Sequence, residues 1–172
     1  MQEECHEQRG DHRIERSALL HRVQHRGREL HHARLQAWSK EDAIKALVAP
    51  HMFRFVGLAF LMPGVVSPTL SPAFANPAAY GDLAAAILAI IAVLGLSVRA
   101  SWAMLVVWIF NIEGTADLLF AYYQGIVGVP QPPGALGAAF FIPTLIVPPL
   151  LVTHALIFWQ LLRSKTPQGV GE

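Results

Sequence analysis

The chain has 172 residues, a formal net charge of +1, 53% hydrophobic residues and a mean hydropathy of +0.41, a balance that points to lipid rather than water as its solvent. Nine of its thirteen Lys and Arg residues and eight of its twelve acids precede residue 50, leaving the remainder almost uncharged. Its one cysteine, Cys5, excludes an intrachain disulfide and thiolate metal chemistry, and the near balance of charge in the first fifty residues gives no support to nucleic-acid binding.

Residues 1–50 are rich in Arg, Glu, Gln and His and hold no apolar run that could build a core, so they read as a polar cytoplasmic arm. The arm is either disordered or, on the loose helical spacing of Leu20, Val23, Leu30, Leu35 and Trp38, an amphipathic helix between about residues 13 and 47. Its six histidines are His6, His12, His21, His25, His31 and His32. His21 and His25 would share a helix face, but no acid or cysteine completes a metal-ligand spacing, and no metal is expected.

Four apolar runs follow, at about residues 52–67, 78–98, 101–123 and 135–162, and a short tail occupies 164–172. A bilayer core needs about 20 helical residues, which the last three supply. Pro68, Pro72 and Pro77 punctuate the first connection, and Pro130, Pro132 and Pro133 the third. Trp102, Tyr122 and Tyr123 bracket the third run, as interfacial aromatics do. The expected fold is all-α, a four-helix transmembrane bundle over 51–163. In a rival reading Met52 starts the chain, Arg54 precedes the apolar core of a signal peptide, and Ala73-Phe74-Ala75 forms a cleavage site, which would leave three spans.

Charge placement predicts the orientation. Lys and Arg occur only in the arm, at Arg54, at Arg99 between the second and third runs, and at Arg163 and Lys165 after the fourth, so with four spans they share one face. The positive-inside rule then places both termini in the cytoplasm.

Ionisable groups inside a span cost about 2.5 to 3.5 kcal/mol on insertion scales and must face protein or a cavity. Asn111, Glu113 and Asp117 lie in the third span, the two acids on one helical face, and His154 lies in the fourth at a similar depth. A hydrogen bond from His154 to Asn111 or Glu113 is expected, and Glu113 should be protonated or paired, with His154 and Arg54 as the candidate cations. Arg54 has a plainer alternative, snorkelling to the headgroups, and Asp82 reads as a helix-start or interfacial residue. Pro143, Pro148 and Pro149 should bend or unwind the fourth helix, with Thr144 and Thr153 at hand for the freed carbonyls. Gly57, Gly64, Gly95, Gly114 and Gly137 read as close-packing positions.

The stretches 111–118 (NIEGTADL) and 141–148 (FIPTLIVP) resemble those of small, uncharacterised four-span bacterial membrane proteins, over roughly residues 53–162. In size and topology alone the chain is also similar to DoxX-like four-helix membrane proteins. The resemblance implies a bacterial inner-membrane setting and transfers no functional residue.

The expected function is an integral membrane protein in which Asn111, Glu113, Asp117, His154 and Thr144, with Arg54 as ion-pair partner, bind a small molecule or relay protons. One alternative is a non-catalytic subunit that docks to a larger membrane complex. Another is an intramembrane isomerase with Glu113 and His154 as acid and base. Phosphate-binding glycine loops, HExxH, CxxC and nucleophile-elbow patterns are all missing from the sequence, so no cofactor is expected and soluble-type catalysis gains no support.

Overall fold

The computed structural model describes residues 39–163. The expectations for Cys5, the six arm histidines, the arm up to Trp38 and the tail from Ser164 lie outside the described residues. Those residues form four long apolar helices, α1 (Lys40–Leu61), α2 (Pro72–Ser97), α3 (Ala103–Gly128) and α4 (Gly137–Leu162), each long and apolar enough to cross a bilayer. Large apolar side chains such as Phe53, Leu105, Ile112, Leu145 and Val152 point away from the bundle, an outer surface that only lipid tolerates over this extent. The all-α four-span architecture expected from the sequence is therefore present, and the chain is a multi-pass membrane protein.

Helix α1 is already under way at Lys40, ahead of the apolar run from Met52. Glu41 and Asp42 occupy its first turn, where the helix dipole favours acids, and Ile44 and Val48 are fully buried. From Ala49 to Leu61 the helix tightens to 3₁₀ geometry, with Pro50 at its start. At three residues per turn, side chains three apart eclipse one another. The buried residues of this segment are His51, Arg54, Gly57 and Phe60, a straight row on one face. On an α-helix the same four would drift by about 60° per step, half a revolution from first to last.

Helix α2 starts earlier than the sequence suggested. Ser71 caps it, its hydroxyl accepting from the Ala73 amide at 3.3 Å, and Pro72 sits in the first turn, where a missing amide hydrogen costs nothing. Pro72 and Pro77 thus belong to the helix rather than to the loop. The inner face of α2 is mostly alanine, with Ala75, Ala78, Ala79, Ala85, Ala86, Ala89 and Ala92 buried, which lets α1 and α3 approach closely. The prolines of α4 act as expected: its first half is a 3₁₀ turn (Gly137–Phe140) followed by a π segment (Ile142–Ile146), and regular α-helix runs from Val147 to Leu162.

Each end of the bundle is tied. At the proline-rich end the Ser67 amide donates to the Ala135 carbonyl at 2.9 Å, the Ala138 amide to the Val65 carbonyl at 3.0 Å, and the Ser71 amide to Gln131 Oε1 at 3.2 Å. Gly137 has a φ of +51° and lies against the Val65 carbonyl, where a Cβ would not fit. At the other end Lys40 Nζ donates to the Leu161 and Arg163 carbonyls at 3.2 and 3.0 Å, closing the C-terminus of α4. The α2–α3 turn is a Schellman motif: the Ala100 amide donates to the Gly95 carbonyl and the Arg99 amide to the Leu96 carbonyl. Arg99 fills the left-handed position usually given to glycine, at φ +52°.

Two apolar cores lie along the bundle. One, near the proline-rich end, contains Phe60, Phe74, Leu118, Ile142 and Val147; the other, near the Arg99 turn, contains Ile44, Val48, Val107, Phe110 and Ile157. The functional candidates occupy the layer between them.

Candidate functional site

The layer is centred on Arg54, only 2% exposed and therefore not reaching for headgroups. The 3₁₀ register aims it into the bundle, where all three guanidinium nitrogens are engaged. Nε donates to Asp82 Oδ1 of α2 at 2.7 Å, and Nη2 donates to Asp117 Oδ2 of α3 at 2.6 Å. Nη1 donates to the Gly114 carbonyl at 3.3 Å and lies 3.4 Å from Nε2 of His154 on α4. One cation thus joins all four helices. Asp82, read from the sequence as interfacial, is buried at mid-helix as one of its two counter-ions.

The histidine tautomers follow from the neighbouring bonds. Asn111 Nδ2 donates to the His154 carbonyl at 3.2 Å, which turns Oδ1 toward His154 Nδ1 at 2.7 Å. Nδ1 must then carry the hydrogen, leaving Nε2 as the lone pair that faces Arg54, so His154 is neutral. Of the two partners the sequence allowed, His154 takes Asn111. His51, three residues before Arg54, is fully buried between His154 (ring centroids 4.3 Å apart) and Phe110 (5.1 Å). The Thr153 hydroxyl donates to the Leu150 carbonyl at 2.8 Å, so its oxygen accepts from His51 Nε2 at 2.8 Å. His51 Nδ1 is then a buried lone pair with no hydrogen-bond partner among the described residues.

Three glycines make room for this charge. A Cβ on Gly57 would collide with the Asp82 carboxylate, one on Gly81 with the Asp117 carboxylate, and one on Gly114 would stand 2.7 Å from both Arg54 Nη1 and His154 Cε1. Helices α1, α2 and α3 each carry such a notch opposite a polar side chain of a neighbour. Glu113 stays outside the set: it is half-buried, its Oε2 is enclosed, and it makes no hydrogen bond among the described residues.

Next to the layer, between α2, α3 and α4 at their proline-rich end, lies a cavity of about 600 Å³. Its walls are mainly apolar, with Phe60, Phe74, Tyr122, Phe140 and Phe141, and Asp82 and Asp117 are its acidic residues. Phe74, Ala78 and Asp82 descend one face of α2, so the carboxylates lie about 15 Å along the helix from its start. Thr144 also lines the cavity, its hydroxyl donating to the Phe140 carbonyl at 2.7 Å. Asn111, Glu113, His154 and Arg54 do not line it. Among the sequence candidates the cavity therefore gathers Asp117 and Thr144, while Asn111 and His154 support Arg54 from behind and Glu113 stands apart.

The π segment of α4 shapes this wall. In π register the carbonyl of residue i receives the amide of i+5, and for Pro143 that residue is Pro148, which has none. The Tyr122 hydroxyl donates to the Pro143 carbonyl instead, at 2.8 Å, bridging α3 and α4 beside the cavity. Sequence reasoning did not single out His51 or Gly81, and it read Tyr122 only as an interfacial aromatic. The only signal for His51 was its three-residue spacing from Arg54, which acquires meaning only on a 3₁₀ helix.

A family described as a domain of unknown function, DUF8737, matches residues 28–162. The chain belongs to the DUF8737 family. The match spans all four helices and every residue of the polar layer. No curated protein matches the chain, and no solved structure does. Among the described residues no group of three or more His, Cys, Asp or Glu side chains is placed to hold a metal ion. The DUF8737 chain is thus a four-span membrane protein with a buried His, Arg and Asp cluster.

Proposed function

We propose that this DUF8737 chain binds a small molecule in the cavity between α2, α3 and α4, with the ion-paired layer as the rigid floor of the site. The observation that carries the reading is the cavity itself: about 600 Å³, aromatic-walled, and lined at mid-bundle by Asp82 and Asp117. Binding sites for small molecules are typically of this size and character, apolar with a few fixed polar groups. The Arg54 network holds those carboxylates in place by charge-assisted bonds of 2.6 and 2.7 Å.

Proton relay through the same residues is a poorer fit. Arg54 separates His154 from both aspartates, and a guanidinium does not release its proton in a protein. An isomerase built on Glu113 and His154 is disfavoured too, because both His154 ring nitrogens face partners and neither residue lines the cavity. In this proposal the protein sits in a bacterial inner membrane with both termini in the cytoplasm, so the proline-rich end that holds the cavity lies toward the outer face.

The test is native mass spectrometry of the full chain released from mild membrane extracts, beside Ala121→Phe, which puts a ring into the cavity and leaves Arg54, Asp82 and Asp117 unsubstituted. A co-purifying small molecule present on the parent and lost from the variant supports the reading. Equal occupancy in both places the molecule elsewhere and refutes it.

A further inference from the structure

The balance of charge at the cavity wall indicates what kind of molecule the cavity accepts. Arg54 is the one described cation in the layer, since the hydrogen bonds leave His154 neutral and His51 with a bare Nδ1 lone pair. Against it stand Asp82 and Asp117, both in direct contact. With its two aspartates ionised the layer carries one more negative than positive charge, in a setting where unbalanced charge is costly.

The two sides of the layer differ. Arg54 is turned away from the cavity, whereas both aspartates line it, so a molecule inside meets carboxylate and not guanidinium. Each aspartate gives one oxygen to Arg54 and keeps a second outside that bond, Asp82 Oδ2 resting in the notch at Gly57 and Asp117 Oδ1 in the notch at Gly81, at the edge of the cavity both residues line. These are acceptors without hydrogens of their own, and they favour a donor with positive charge. The aromatic walls suit an apolar body and add cation–π attraction to a nearby ammonium group. An anionic head would meet two carboxylates, while the Tyr122 and Thr144 hydroxyl hydrogens are already given to backbone carbonyls and Gln131 keeps one neutral amide hydrogen beyond its bond to the Val129 carbonyl.

We infer that the cavity accepts a monovalent organic cation, a protonated amine on an aromatic or aliphatic body, whose ammonium group balances the surplus carboxylate of the Arg54–Asp82–Asp117 set. This assignment rests on the cavity being a ligand site. When the cavity holds no such molecule, a proton or an inorganic cation balances the layer.

The test titrates three small molecules of one shape, 2-(2-naphthyl)ethylammonium, 2-(2-naphthyl)ethanol and 2-naphthylacetate, into the full chain in lipid nanodiscs by calorimetry, with empty nanodiscs as the partition control. The ammonium compound should bind at least about tenfold more tightly than the alcohol, and the acetate should not bind. In Asp117→Asn the preference for charge should collapse while the alcohol still binds. Asp82→Asn provides the same reading should Asp117→Asn fail to fold. In Ala121→Phe, where the ring occupies the cavity and the ion-paired residues are unsubstituted, ammonium and alcohol binding should both be lost.

Alcohol and ammonium binding alike, and both lost in Ala121→Phe, would leave the cavity a ligand site and overturn its assignment to cations. Ammonium binding that survives Ala121→Phe would overturn the assignment by placing the cation elsewhere. Failure of all three compounds to bind the parent would likewise overturn it, and the co-purification experiment then decides separately whether the cavity is a site.

Discussion

Arg54 of α1 engages the other three helices through three nitrogens, and a lysine at the same position could not. Its ammonium is a single compact donor centre, whereas Asp82, Asp117 and Gly114 are reached in three directions from a planar fork. We expect Arg54→Lys to lower stability by about 3 kcal/mol, near the lower bound for breaking a buried pair, as measured by thermal unfolding in detergent. A loss under 1 kcal/mol would mean that the fork geometry is unimportant. The glycine notches are equally specific. Gly81→Ala drives a methyl into the Asp117 carboxylate and should cost about 3 kcal/mol or more, whereas Gly125→Ala meets only the edge of Phe74, at 3.3 Å, and should cost far less. Similar unfolding temperatures for the two alanine variants would contradict the packing described for the layer.

Within the helices, two backbone exceptions have partners that can be tested. The Pro143 carbonyl lacks an intrahelical donor in π register because Pro148 has no amide hydrogen, and the Tyr122 hydroxyl substitutes. Tyr122→Phe should therefore cost about 1 to 2 kcal/mol in the parent and much less in a Pro148→Ala background, where the amide hydrogen returns. A double-mutant cycle by unfolding measures the difference, and zero coupling would refute this account. In the α2–α3 turn, Arg99 holds a left-handed backbone that glycine adopts freely. Arg99→Gly should raise stability by about 1 kcal/mol, seen as a higher unfolding temperature, because it removes the strain of a non-glycine residue at that position.

Across the described bundle, the outer surface is largely apolar, both ends are tied by hydrogen bonds, and the polar layer lies between two apolar cores. The orientation we propose has a direct test with single cysteines in a Cys5→Ser background. Thr69→Cys, in the connection between α1 and α2, should react with a membrane-impermeant maleimide added to intact cells, and Ser101→Cys, in the α2–α3 turn, should react only after permeabilisation. The reverse pattern would invert the topology.

Much of this was legible from residues alone. Apolar runs of bilayer length identify spans because no other fold tolerates them, and prolines at 143, 148 and 149 announce an irregular α4 because they remove backbone donors. Asp117 and His154 stand out as ionisable groups in apolar surroundings for the same reason of cost. Tertiary structure alone decided their company. Sequence periodicity assumes 3.6 residues per turn, so it could not align His51, Arg54, Gly57 and Phe60, which share a face only at three per turn. For that reason Arg54 resembled a headgroup anchor and Asp82 an interfacial acid, when each is the other's buried partner. Which carboxylates meet the guanidinium, and which border a cavity, depends on where four separate helices bring their faces together, a long-range fact that spacing along one helix does not carry.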